Sequence, residues 1–342
     1  MTVFVTSAPA KIILAGDHGV NRHQPALATA VAVRTFCRIT VRTDQDYSFY
    51  FGNRRELCSR DHLFTFKAEV DALRQAEALD EIRERARDFF APARYVLAHV
   101  VEQSGGPGLD IEWRSSVPVS SGLGSGAAAS TAMAWAAFLA AGHEPAPDEV
   151  IFAAWQGDII AHGGVASSLD SSAITRGGLI RYTVKNGVET LPITASLPLV
   201  IGNTFVEGRS TAKLNTRVRK LLQDRPAKMH LFDDMGHLVG QIMAALEEND
   251  LPQLGHLFNL HQLIQDKIGT CAPENERLIE AAIGAGALGA KISGAGGGGI
   301  IIALAKPDKQ AAVAAAIDAA GGQSLITTTG AAGACLEPAN AF

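Results

Sequence analysis

Cysteine is scarce in this 342-residue chain: Cys37, Cys58, Cys271 and Cys335 stand far apart, with no CxxC pair and no Cys/His metal spacing. That excludes a disulfide framework and a thiolate metal site, and the expectation is reduced, partly buried thiols in a cytosolic protein. Positive charge is not in excess either. With 30 Lys+Arg against 35 Asp+Glu the net charge is −5, which offers no general attraction to nucleic acid. Compact anionic ligands stay open, because they need only local charge. A membrane span is missing too: sequence without charge runs from Ser115 to Gly142, but its apolar part is only about a dozen residues, against ~20 for a bilayer. The opening residues MTVFVTSAPAK have no basic region and too short an apolar run for a signal peptide, so none is expected.

What is present is apolar and small. Apolar residues make up 47% and charged ones 19%, which suits a well-buried globule, and the length suggests two domains. The stretch SSVPVSSGLGSGAAAS, Ser115–Ser130, holds three glycines between two structured neighbours. Upstream, Leu109, Ile111 and Trp113 alternate as in a strand; downstream, GAAASTAMAWAAFLAAG reads as a buried helix ending at Gly142. Strand, glycine loop and helix N-terminus together aim free N–H groups and a positive dipole end at one spot, where phosphate binds. The glycines also satisfy a dinucleotide-binding pattern, but no acid closes a second strand about 20 residues later, and no GK[ST] follows for a Walker loop. Glycines that merely allow close helix packing are the plain alternative.

A second cluster, AKISGAGGGGIIIALA (Ala290–Ala305), leads into Ile300–Ile302, so it reads as strand, glycine loop, strand. Four consecutive glycines there suit backbone lying against a ligand or another loop. Near the start, Lys11 stands just before the strand Ile12-Ile13-Leu14, and Gly16, Asp17, His18 and Gly19 form a turn before PALATAVAVRTFCRITV resumes as strand. Three ionisable groups at one strand end favour a site over scattered surface charge. In DEVIFAAWQGDIIAHGGVASSLDSSAITRGGLIRYTV, the first half reads as an amphipathic helix with Asp148 as N-cap and Asp158 near its end. Asp170 follows in a Ser/Gly loop, before a strand. A metal ligand and a base would need two such acids; a helix-surface acid and a turn acid are the plain reading.

Taken together, APAKIILAGDHGVNRHQPALATAV, PVSSGLGSGAA, GAKISGAGGGG and HGGVASSLDSSAITRGG resemble, in order and spacing, the motifs of the GHMP kinase superfamily, and within it most closely the mevalonate kinase family. Weaker matches at Gly208–Leu214 and His261–Ala282 extend the resemblance over most of the chain. It implies an α+β fold: an N-terminal ribosomal-protein-S5-like domain over 1–192, a C-terminal ferredoxin-like domain over 193–342, and a site in the cleft between them. It implies ATP and Mg²⁺, and transfer of a phosphoryl group to the C5 hydroxyl of mevalonate. Pro118, Ser120, Ser121, Gly122, Leu123, Gly124, Ser125, Gly126, Ala127 and Ala128 would hold the triphosphate. Asp170 would be the base, Lys11 would stabilise developing charge, and Asp158 with Ser125 would hold the metal. Asp17, His18, Gly294 and Ala295 would contact the substrate. Partners would be small molecules, with neither nucleic acid nor membrane; a homodimer is compatible with the resemblance.

Three departures stand out. Asp17 and Asp158 occupy positions usually filled by Glu, and Gly126 stands where the family has a metal-binding serine. The runner-up readings are a phosphomevalonate, homoserine or sugar kinase of the same superfamily, or a nucleotide-binding relative without catalysis. A galactokinase is disfavoured, since Asp17-His18-Gly19-Val20 lacks the acid-His-Thr-Asp run.

Overall fold

The computed structural model describes residues 2–119, 121–193, 196–206 and 211–342, with the backbone alone at 211–213. The first half of the chain builds one sheet and the helices on it. Its strands are β1 (Val3–Ala15), β2 (Ala26–Val41), β3 (Tyr47–Phe51), β4 (Arg54–Cys58), β5 (Leu109–Ser115), β6 (Leu179–Thr183) and β7 (Gly187–Leu191). Its helices are α1 (Arg60–Gln75), α2 (Leu79–Arg85), α3 (Ala91–Ser104), α4 (Ser125–Ala140), α5 (Pro147–Ala161) and α6 (Leu169–Arg176). The second half runs β8 (Pro198–Asn203), α7 (Thr211–Asp224), α8 (His230–Glu247), α9 (Leu251–Ile268), α10 (Pro273–Gly284), β9 (Gly289–Ser293), β10 (Ile300–Leu304), α11 (Gln310–Ala319), β11 (Gln323–Thr328) and β12 (Cys335–Glu337).

Two antiparallel-rich sheets follow. The larger has the order β12-β1-β2-β5-β3-β4, with β6 and β7 continuing from the other half of the long strand β2. The smaller has the order β11-β8-β10-β9, the ferredoxin-like arrangement expected of the C-terminal half. The last strand crosses back: Val5, Thr6 and Ser7 of β1 pair with Glu337, Leu336 and Cys335, so the chain end rejoins the sheet where the chain began. All four cysteines are free thiols.

Helix α4 is buried nearly all round because its sequence is alanine-rich, and small side chains let it lie close to the sheet. Thr6 Oγ1 donates to the Ala132 carbonyl at 2.7 Å, and Trp113 Nε1 donates to that of Ala129 at 3.1 Å, pinning the helix to β1 and β5. On the other side of β1 and β2, Leu14, Leu27 and Val31 share one hydrophobic core with Leu199, Ile201, Phe232, Met235 and Ile302. The two halves are thus joined by apolar burial as well as by the buried Asp17–Lys291 ion pair, the kind of interface that resists large relative motion.

Local expectations need three corrections. Lys11 lies inside β1, not at its opening, and is flanked by register shifts at Pro9/Ala10 and Ile13/Ala15 that bend the strand around it. Asp148 is not the N-cap of α5: Pro147 is the first helical residue, Ala146 is the cap, and its N–H goes to Glu149 Oε2 at 2.8 Å. Asp170 lies in the first turn of α6, not in a loop.

Candidate active site

The site begins with a strand that is interrupted on purpose. Between its two register shifts, β1 turns the Lys11 N–H to the Leu123 carbonyl at 2.9 Å, tying the strand to the glycine loop before α4. The Lys11 side chain is buried, and its Nζ lies 3.0 Å from Asp170 Oδ1, whose carboxylate stays 26% exposed and so open to a ligand. Gly124 caps α4 in the left-handed region (φ 76°), which favours glycine. A Cβ there would sit 3.0 Å from Lys11 Cγ and 3.1 Å from Ile174 Cδ1. The glycine is therefore required by the lysine behind the loop, in addition to anything that binds in front of it.

The remaining phosphate-loop residues are arranged as a helix entry. Ser121 is buried, its hydroxyl donating to the Pro118 carbonyl at 2.8 Å and accepting the Leu123 N–H at 3.3 Å. Ser125, Gly126, Ala127 and Ala128 form the first turn of α4, which no side chain among the described residues caps, so its first N–H groups suit an anion. Gly126 is exposed, and a Cβ on it would meet nothing within 4 Å. Ser120 lies outside the described residues.

Asp158 completes an ionisable trio. It is 6% exposed, and its Oδ2 has no hydrogen-bond partner among the described residues. Burial, reinforced by the charge of Asp170 and opposed by Lys11, pushes its carboxyl well above the usual range. A buried, unpaired carboxylate is costly unless something joins it. His162, at the end of α5, senses the same charges: burial pulls its imidazole down, while Asp170 pulls it up and Lys11 down. Sequence reasoning passed over His162, although it stands one helical turn after Asp158.

Asp17 and His18 have other company. The Asp17 carboxylate is fully buried: Oδ1 accepts the Gly294 N–H at 2.6 Å, and Oδ2 accepts from Lys291 Nζ at 2.9 Å and Gln265 Nε2 at 3.2 Å. Burial alone would raise its pKa, but the Lys291 charge and hydrogen bond, with the Gly294 N–H, more than offset this and hold it below the usual value. His18 places Nε2 at 2.8 Å from the Ala295 carbonyl; burial lowers its pKa, so the neutral ring donates there. His261 Nε2 accepts the Gly16 N–H at 3.0 Å, which requires that nitrogen to be unprotonated, and burial pulls its pKa down to about 3. Its 3.6 Å approach to Asp17 is therefore not an ion pair at neutral pH.

The third glycine loop meets the site from the other half. Ser293 Oγ accepts the Ile13 N–H at 2.8 Å, and a Cβ on Gly299 would lie 2.9 Å from the Ser121 carbonyl, so the two glycine loops are in contact. Lys11, Asp158, Asp170, the α4 entry and the third loop thus converge. Pockets lined by residues between Glu56 and Arg94 and between Ala32 and Ala331 contain none of these residues; the site is defined by its side chains and N–H groups.

The comparisons with known proteins bear on the family and the fold. Residues 92–178 match the GHMP kinases N terminal domain, and residues 242–323 match GHMP kinases C terminal. The mevalonate kinase of Pyrococcus horikoshii is 32% identical over 305 residues, 85% of each chain, and that of Thermococcus sibiricus is 33% identical over 303 residues, 85% of this chain and 86% of that one. The crystal structure of L. major mevalonate kinase in complex with R-mevalonate superposes with a TM-score of 0.75 at 25% identity, covering 97% of both chains. With this similarity spanning both halves and all three glycine motifs, the chain belongs to the mevalonate kinase family of GHMP kinases and is a phosphotransferase.

Proposed function

We propose that the chain transfers the γ-phosphoryl group of ATP to the C5 hydroxyl of mevalonate. The observation that supports this most is the 3.0 Å contact of Lys11 with Asp170 beside the uncapped entry of α4. Phosphoryl transfer asks a protein for positioning and charge neutralisation more than for covalent chemistry. The first turn of α4 and the loop before it offer N–H groups to the triphosphate. Asp170, partly open to the cleft, accepts the proton of the attacking hydroxyl. Lys11 supplies positive charge where the alkoxide and the transferring phosphoryl group develop negative charge.

A divalent cation is part of this reading. The buried, unpartnered Oδ2 of Asp158 fits one: it is a hard oxygen lacking a partner beside a second carboxylate. Asp158 would hold Mg²⁺ there, and the ion would supply positive charge to offset that of the phosphates. Ser125, half-buried at the start of α4, is the second side chain suited to it; Gly126 has none to offer. The experiment is an acceptor panel. ADP release with mevalonate, and little with phosphomevalonate, homoserine or galactose, is the expected result, and turnover only with another acceptor contradicts the substrate assignment.

A further inference from the structure

The buried acid of the first motif is spent on the third glycine loop. Asp17 reaches from the turn after β1 across to the other half of the chain, where its Oδ1 takes the N–H of Gly294, the first residue after β9. Gly294 has φ 93°, so the chain reverses there in a conformation open mainly to glycine, and its N–H direction sets the start of the loop. Lys291 supplies the counter-charge. Its Nζ donates to Asp17 Oδ2 at 2.9 Å, to the Ile292 carbonyl at 2.5 Å and to that of Ile13 at 3.3 Å, which satisfies all three ammonium protons across both halves.

The network continues to the far side of the same loop. Gln265, which donates to Asp17, accepts from Thr270 Oγ1 at 3.1 Å, and the Thr270 carbonyl accepts the Gly297 N–H at 2.8 Å. His18 holds the intervening Ala295 carbonyl. Adjacent residues of one turn thus grip adjacent residues of one loop.

A buried ion pair is a poor device for stability alone, since apolar residues of similar size often do as well or better. It is a good device for fixing a direction. Asp17 and Lys291 both have fully buried side chains, so neither carboxylate nor ammonium is available to a ligand in this arrangement.

We infer that Asp17 is a positioning residue: through Gly294 it fixes the third glycine loop relative to the strand that carries Lys11, with Lys291 as its obligatory partner. The kinetic part of this inference rests on the kinase reading above; the structural part does not. Asp17 acts on the loop, and the loop on the bound alcohol.

The test uses the full-length chain with Lys291→Met and the double variant Asp17→Ala/Lys291→Met. Removing the lysine alone strands a buried carboxylate and lowers the melting temperature. The double variant has no stranded charge and regains most of that loss. In it, amide exchange at Gly294–Gly297 accelerates, and KM for the alcohol rises about tenfold, the worth of roughly one hydrogen bond, with a smaller change in kcat. Affinity for the nucleotide, held by the other loop, stays near wild type. A double variant that regains stability and shows wild-type exchange at Gly294, or an unchanged KM, overturns the inference. Accelerated exchange in a chain that turns over no alcohol would instead count against the kinase reading and leave the anchor standing.

Discussion

His261 offers a sharp test of the buried polar cluster that joins the two halves. Its ring is fully buried, Nε2 accepts the Gly16 N–H, and its pKa is pulled from 6.5 to about 3, burial being the main cause and the Lys291 charge the next. The sign follows directly. Above pH 6.5 neither folded nor unfolded chain protonates this ring; below it, the unfolded chain takes up a proton that the folded chain refuses. Stability contributed by the neutral ring is therefore complete above about pH 6.5 and is lost as pH falls towards 3. Each unit below 6.5 costs about 1.4 kcal/mol, so about 2 kcal/mol is lost at pH 5. Burial and its surroundings also lower the pKa values of His18, His99 and His162, and these add to the slope of the wild-type chain. The perturbation that isolates His261 is His261→Gln, whose amide oxygen can accept the Gly16 N–H without titrating. Urea unfolding of both proteins at pH 7.5 and pH 5 is the assay. The wild type should lose about 2 kcal/mol more than the variant over that range. Equal losses would show that His261 titrates normally and that the Gly16 contact does not require a neutral ring.

The same reasoning extends to the site. Asp170→Asn keeps the shape but removes the proton acceptor, so kcat should fall by about 10²–10⁴ with ATP affinity little changed; near-normal kcat would make Asp170 structural. Lys11→Met should also lower kcat, and the double variant should lose less than the product of the two losses if they act as a unit. Asp158→Asn should raise the Mg²⁺ requirement while stabilising the ligand-free fold at neutral pH, because a buried acid whose ionised form is disfavoured is replaced by a neutral amide; normal Mg²⁺ dependence, measured by titration of activity, would return it to a plain helix acid. Gly124→Ala should lower activity and melting temperature together, since its Cβ meets Lys11 at a positive φ, whereas Gly126→Ser should leave both near wild type because its Cβ meets nothing.

What could be read from the sequence was local. The glycine loop between Trp113 and the Ala-rich helix, and the one between Lys291 and Ile300, were legible because β-branched strands, alanine runs and glycines signal themselves within about a dozen residues. The place of Lys11 within β1 was not, since it depends on two register shifts set by pairing with β2. Asp170 looked like a loop acid because Ser, Gly and Ala surround it, yet tertiary packing of α6 against β1 and β2 makes that stretch helical. The partners of Asp17 were the least legible: Gln265 and Lys291 are 248 and 274 positions away, and only the fold brings them to one turn. The return of β12 to β1, across more than 300 residues, was hidden for the same reason.

We propose that Lys11, Asp170 and the α4 entry form a centre that phosphorylates the primary hydroxyl of mevalonate. Phosphorus NMR of the product formed from ATP, Mg²⁺ and mevalonate tests it most directly. A single new phosphomonoester resonance coupled to the C5 methylene protons, absent when Asp170→Asn replaces the wild type, is the predicted result. A 3-phosphate, or undiminished product from the Asp170→Asn variant, would contradict the account.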